Sequence, residues 1–214
     1  MKSEIFDDKN LQQYYINNWL NVLKEHDGIL LNSFNTTQKI NNFKINILAS
    51  ETDNEVFQQQ MIFGDSSVFI HFRISPILFT FKKITIPDKD IKAIPLNDLI
   101  NSESQFLWHD VGNDNNRPIK DPILIVPFLN GQYKYLVIDG NKRISSAMRQ
   151  KADSINGIFL AEEYITEAKY FSSSFDKLFY IFNNELIHIG NQKHYTNMTD
   201  EELINLSILF KTNK

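Results

Sequence analysis

Hydrophobic positions recur at helical spacing near the start of the chain. Leu11, Tyr14, Tyr15, Trp19, Val22 and Leu23 predict an amphipathic helix over residues 10–25, with Gly28 just beyond its end. Residues 29–42 are polar and irregular, and residues 43–48 have strand character. The period then changes to two. Val68, Ile70, Phe72 and Ile74 alternate with Phe69, His71 and Arg73, as in a half-buried strand. Pro76 is expected to break it, and residues 77–86 to form another strand with Phe79 and Phe81 opposite Thr80 and Lys82. Residues 87–92 form a charged turn, and residues 94–100 a short strand entering a turn. A long polar loop is expected over residues 101–120.

The clearest architecture follows. Residues 123–128 predict a strand, Asn130-Gly131 a hairpin turn, and residues 133–138 the return strand. Asp139-Gly140 makes a tight turn into a helix over residues 141–151, with Ile144, Ala147 and Met148 on one face. Gly157 ends the turn after that helix, and residues 158–160 continue as a strand. Ser173 with Asp176, and Thr199 with Glu202, mark the starts of two C-terminal helices through their capping spacing. The pattern is that of an α+β protein in three parts: an N-terminal helix-plus-antiparallel-sheet lobe over 1–85, a mixed-sheet core over 86–165, and a helical extension over 166–214.

Composition narrows the chemistry. The chain has no cysteine, which removes disulfides, thiolate nucleophiles and Cys-ligated metal sites. The absence of disulfides fits a reducing compartment, and no long apolar run is present, so a cytoplasmic location without membrane contact is expected. Seventeen Phe in 214 residues promise a sizeable core. The net charge of −4 makes general nucleic-acid binding unattractive. Against that background, residues 134–151 stand out: Lys134, Lys142, Arg143, Arg149 and Lys151 face a single carboxylate, Asp139.

This local excess of positive charge sits where a strand turns through glycine into a helix. First-turn N–H groups lack intrahelical partners, and the helix dipole adds partial positive charge. Gly140, Asn141, Lys142 and Arg143 are therefore candidate phosphate ligands. An Asp-Gly turn before a helix is most often purely structural, and Lys and Arg on a helix usually face water, so the residue chemistry alone favours that reading. His109 and Asp110 in the long loop could serve such a site as a metal pair or as acid/base groups, or remain solvated loop residues. Asp139 is the other nearby carboxylate. His71 reads as structural, and the spacing of His188 and His194 matches no metal motif; no metal site is expected.

The run Asp121-Pro122-Ile123-Leu124-Ile125, the strand over residues 135–138, Asp139-Gly140-Asn141-Lys142-Arg143, the small pair Ser146-Ala147 and the strand over 155–160 together resemble the core of the ParB/sulfiredoxin-like superfamily. Residues 94–99 stand where that family has its opening strand. The resemblance covers roughly 70 residues. It implies a ParB/sulfiredoxin-like fold that holds a nucleotide (ATP, ADP or CTP), with Mg²⁺ where phosphoryl transfer occurs. Gly140, Asn141, Lys142 and Arg143 match the family's phosphate-binding turn, and Arg117 lies where ParB proteins use an arginine. The catalytic cysteine of sulfiredoxins is missing, with Asn141 in its place. The helix-turn-helix of chromosome-segregation ParB proteins is not legible, and the family's first helix is replaced by the 101–120 loop. Three functions are compatible with this reading. The first is a nucleotide- or phosphate-binding protein, with phosphotransferase or nucleotide-hydrolase activity carried by His109, Asp110 or Asp139. The second is a DNA-associated ParB-like protein or nuclease of a phage or mobile element, using Lys142, Arg143, Arg149 and Lys151. The third is a non-catalytic partner-binding module.

Overall fold

A computed structural model describes residues 4–33, 55–83, 90–112, 118–167 and 170–211. The strand expected at 43–48 and the candidate Arg117 lie outside the described residues. The protein is mixed α+β and divides into two compact units, one of residues 1–54 with 173–214 and the other of residues 55–172. This division differs from the three-part expectation, because the N-terminal helix packs with the C-terminal helices. Among the described residues no helix is long and apolar enough to cross a membrane.

The first unit is helical. Helix α1 (Lys9–Ser33) runs past Gly28, which was expected to lie beyond its end. One interior glycine costs about 1 kcal/mol, which a helix of this length absorbs. Tyr15, Trp19, Ile5 and Phe6 join Ile189 and Leu203 in a buried core.

The second unit contains two sheets. Strands β1 (Val56–Phe63) and β2 (Ser66–Arg73) form an antiparallel hairpin across Gly64, whose φ is +59°. Strand β1 was not foreseen. Helix α2 (Ile74–Lys83) follows β2 without a break and overturns the strand expected from residue 77. Pro76 sits in its first turn, where a missing N–H removes no helical bond. Ile74 and Ile77, three apart, are both buried, while Phe79 is exposed.

Strand β3 (Ile91–Pro95) stops earlier than expected, and helix α3 (Leu96–Ile100) occupies the rest of that segment. Pro95 forms the N-cap, and Leu96 and Leu99 bury one side of the single turn. The supposed 101–120 loop is also partly ordered. Strand β4 (Phe106–Leu107) pairs in parallel with Tyr135 and Leu136, and the Trp108 indole N–H donates to the Leu99 carbonyl at 2.9 Å.

Strands β5 (Ile123–Asn130) and β6 (Tyr133–Asp139) form the expected hairpin, with Gly131 at φ +60° in its turn. Helix α4 (Asn141–Gln150) and strand β7 (Ser154–Phe159) follow. The sheet order is β3-β7-β5-β6-β4, with β7 parallel to β5 and antiparallel to β3. Gly157 is not in a turn but inside β7. A Cβ there would come within 2.5 Å of Ile94 Cδ1 and 2.9 Å of Ile125 Cδ1, so the flanking strands require a bare α-carbon. Ile144 and Ala147 are buried in the sheet's core with Ile123, Ile125 and Val137, whereas Met148 is turned outward. Helix α5 (Glu162–Glu167) ends this unit's regular structure.

The C-terminal helices return to the first unit. Helix α6 (Ser174–Tyr195) starts at the expected Ser173 cap, and α7 (Asp200–Ile204) at the full Thr199–Glu202 capping box.

Candidate functional site

The β6–α4 junction is built around Gly140. Its φ of +98° lies in the left-handed region that glycine adopts most readily. A Cβ would fall 2.4 Å from Ile123 Cγ2 and 2.9 Å from the Arg143 guanidinium. The lack of a side chain therefore serves close packing of β5 and Arg143 over the turn, rather than only the approach of a ligand. The Gly140 carbonyl accepts from the N–H groups of Arg143 and Ile144 at 2.9 and 3.0 Å. The Arg143 N–H, expected to face an anion, is thus taken by the helix itself.

Arg143 reaches back one turn. Its Nη2 donates to Asp139 Oδ2 at 2.8 Å, and only 16% and 15% of the two side chains are exposed. Its Nε is buried and has no protein acceptor among the described residues. A guanidinium offers five donors in a planar fork, so one carboxylate oxygen leaves this cation under-satisfied.

Asn141 does different work from that expected. Its Oδ1 accepts the His109 N–H at 2.8 Å and its Nδ2 donates to the Val137 carbonyl at 3.2 Å. The amide is a bracket that ties the β4-side segment to the start of α4. His109 is held a second time, by a 2.9 Å hydrogen bond between its Nε2 and Oε1 of the buried Gln59 on β1. Its ring lies 5.7 Å from that of Phe57. Burial lowers the imidazole below its usual value, so the neutral form is favoured.

These groups surround a cavity of about 480 Å³ within the second unit. Its walls are the Ile138–Arg143 turn, the start of β1 at Glu55, Val56, Phe57 and Gln58, and His109, Val111, Pro118 and Asp121. The size suits a small organic ligand. Of the sequence candidates, His109, Asp139, Gly140, Asn141, Lys142 and Arg143 come together here. Asp110 is not among the lining residues. Its carboxylate accepts from the Gly112 N–H at 3.1 Å and the Ser145 hydroxyl at 2.9 Å, while Arg149 Nη1 donates to the Gly112 carbonyl at 3.0 Å. The Gly112 and Ser145 bonds, with Arg149 nearby, hold the Asp110 carboxyl below its ordinary value. It latches the loop to α4. Sequence reasoning missed Glu55, Gln58, Gln59 and Asp121. The glutamines carried one usable signal, alternation within Val56-Phe57-Gln58-Gln59-Gln60-Met61, which places Gln59 on the inward face beside Phe57 and Met61. No group of three or more His, Cys, Asp or Glu side chains suited to a metal ion occurs among the described residues.

Neither protein-family models, nor curated proteins, nor solved structures yield a match to this chain.

Proposed function

We propose that the protein binds a phosphate-bearing small molecule, foremost a nucleotide, in the cavity at the β6–α4 turn. The observation that carries this reading is Arg143: a cavity-lining guanidinium that is paired with a single carboxylate oxygen and whose Nε has no acceptor among the described residues. Nε has no accessible surface of its own, so a phosphate oxygen would pair with the guanidinium through a rotation that turns its donor edge to the cavity. Lys142 and the helix start add positive potential on the same wall. The resemblance to the ParB/sulfiredoxin-like superfamily supports the same assignment, since the order strand, hairpin, strand, Asp-Gly turn, helix, strand is the one it implies. Mg²⁺ accompanying a nucleotide would be held mostly by phosphate oxygens and water, with Glu55, Asp121 and Asp139 as the carboxylates lining the cavity. A phosphotransfer or hydrolysis reaction belongs to this proposal, with His109 as the proton acceptor.

The DNA-associated alternative would need Lys142, Arg143, Arg149 and Lys151 presented together to backbone phosphates. Arg143 instead folds onto Asp139, and Arg149 holds the Gly112 carbonyl. The deciding experiment is a thermal-shift panel of ATP, ADP, CTP and inorganic phosphate, with and without Mg²⁺. A ligand at 100 times its Kd stabilises the fold by about 2.7 kcal/mol. A shift with one nucleotide supports the proposal. No shift with any compound overturns it, and salt-sensitive binding of duplex DNA in place of a shift favours the alternative.

A further inference from the structure

His109 lines the cavity, and the neighbouring amide decides which of its ring nitrogens carries the proton. Gln59 Nε2 donates to the Gln60 carbonyl at 2.6 Å, which orients the amide so that Oε1 faces His109. A carbonyl oxygen can only accept, so the imidazole nitrogen against it, Nε2, must carry the proton. In a neutral ring the other nitrogen, Nδ1, then carries the lone pair. Among the described residues Nδ1 has no hydrogen-bond partner, and His109 lines the cavity. The rest of the residue is immobilised, with its backbone N–H on Asn141 and its ring against Phe57.

We infer that Gln59 is a positioning residue that holds His109 as the Nε2–H tautomer, so that Nδ1 accepts a proton from a hydroxyl group of the bound ligand. The inference rests on the proposed ligand site and names what that ligand must carry besides its phosphate: a hydroxyl donor, such as a ribose hydroxyl, an alcohol acceptor substrate or an attacking water. In the transfer step the O–H bond breaks, its proton passes to Nδ1, and the ring becomes an imidazolium still hydrogen-bonded to Gln59 through Nε2–H. The oxygen keeps the electron pair and forms the new bond to phosphorus with it, while the bond from that phosphorus to its leaving oxygen breaks and the leaving oxygen departs with the pair of the broken bond. The charged groups around the ring are Glu55, Asp121, Asp139, Lys142 and Arg143 on the cavity walls, with Asp110 next in sequence. Carboxylates and cations are both present, and burial tips the ring toward its neutral, proton-accepting form.

The test is nitrogen-15 NMR of the His109 ring in the full chain, alone and with added ADP and inorganic phosphate. In the wild type the Nε2–H pattern is expected, with a titration midpoint below the ordinary 6.5. Gln59→Leu removes the acceptor and should mix the tautomers. Gln59→Glu keeps an acceptor of the same length, so it should restore the Nε2–H pattern while raising the midpoint. ADP should shift the Nδ1 signal more than the Nε2 signal, and inorganic phosphate alone should not. A wild-type Nδ1–H pattern overturns the inference even where nucleotides bind, and so does an unchanged tautomer in a folded Gln59→Leu. If the tautomer behaves as expected but neither ADP nor the nucleotide that gives the largest thermal shift moves the Nδ1 signal, the proton-accepting role is refuted while the ligand site stands or falls on the thermal-shift panel. The wild-type spectrum alone suffices should Gln59→Leu fail to fold.

Discussion

In the helical unit, the buried carboxylate of Glu185 is surrounded by donors from its own chain. Tyr15 Oη and Trp19 Nε1 each donate to Oε1 at 2.9 Å, and the Ile208 N–H donates to Oε2 at 2.8 Å. The Tyr15 hydroxyl is pushed well above its usual value by burial and by the Glu185 charge, so it stays a donor. In the sheet unit, the half-buried cation Arg143 has one carboxylate oxygen, and its Nε has no acceptor among the described residues. Both are charged groups largely withdrawn from water. One has its hydrogen-bonding capacity filled by the fold, and the other has capacity left over beside a cavity. Burial of charge alone does not mark a functional site. What separates the two is the remaining valence and what space lies next to it.

That comparison is broken most forcefully at Glu185. Replacing it with alanine strands the Tyr15 and Trp19 donors, which are fully buried, in a core without an acceptor. Each stranded donor costs ~1–3 kcal/mol, so Glu185→Ala should lose about 2–5 kcal/mol in urea unfolding. A loss below about 1 kcal/mol would show that the centre is not the structural keystone its hydrogen bonds imply.

Gly140 separates packing from ligand binding. Gly140→Ala introduces a Cβ against Ile123 at a left-handed φ and should cost about 2–4 kcal/mol. Gly131→Ala, at φ +60° with nothing within 4 Å, carries the backbone penalty alone, about 1 kcal/mol. The difference between the two, read in one denaturant series, measures how tightly β5 closes over the turn. Equal losses would remove that closure.

Arg143→Ala sharpens the comparison from the other side. A lost charge-assisted hydrogen bond costs ~1.5–3 kcal/mol, or roughly 10- to 150-fold in affinity for the nucleotide that gives the largest thermal shift. Its effect on ligand-free stability should be smaller than that of Glu185→Ala, because one salt bridge is lost and Nε is no longer stranded. Isothermal titration of the folded variant reads this directly, and wild-type affinity in Arg143→Ala would make the turn merely structural.

Much of the sheet unit was legible because its signals are local. Asn130-Gly131 specifies a hairpin and with it β6, Asp139-Gly140 specifies a break before a helix, and alternation marks β2. Both C-terminal caps were equally local. The failures share a cause. Ile77, Pro95 and Gly157 were read through their neighbours, whereas their conformations follow from packing. Ile77 turns inward with Ile74 on a helix, Pro95 caps a turn that buries Leu96 and Leu99, and Gly157 lies between Ile94 and Ile125. Two of these segments are short and apolar, the class in which periodicity cannot arbitrate between helix and strand.

By itself the sequence determined the covalent supply at the site: an Asp-Gly turn, two adjacent cations and a helix behind them, with no cysteine anywhere. Only the tertiary structure decided what each group does. It gave the Asn141 side chain to His109 and the Val137 carbonyl, set Asp110 as a latch on Ser145 and Gly112, and brought Gln59 fifty residues along the chain to the imidazole. The reason is physical. A residue's chemistry is local, but whether its donors and acceptors are satisfied depends on groups that are close in space and distant in sequence, and no spacing rule records them.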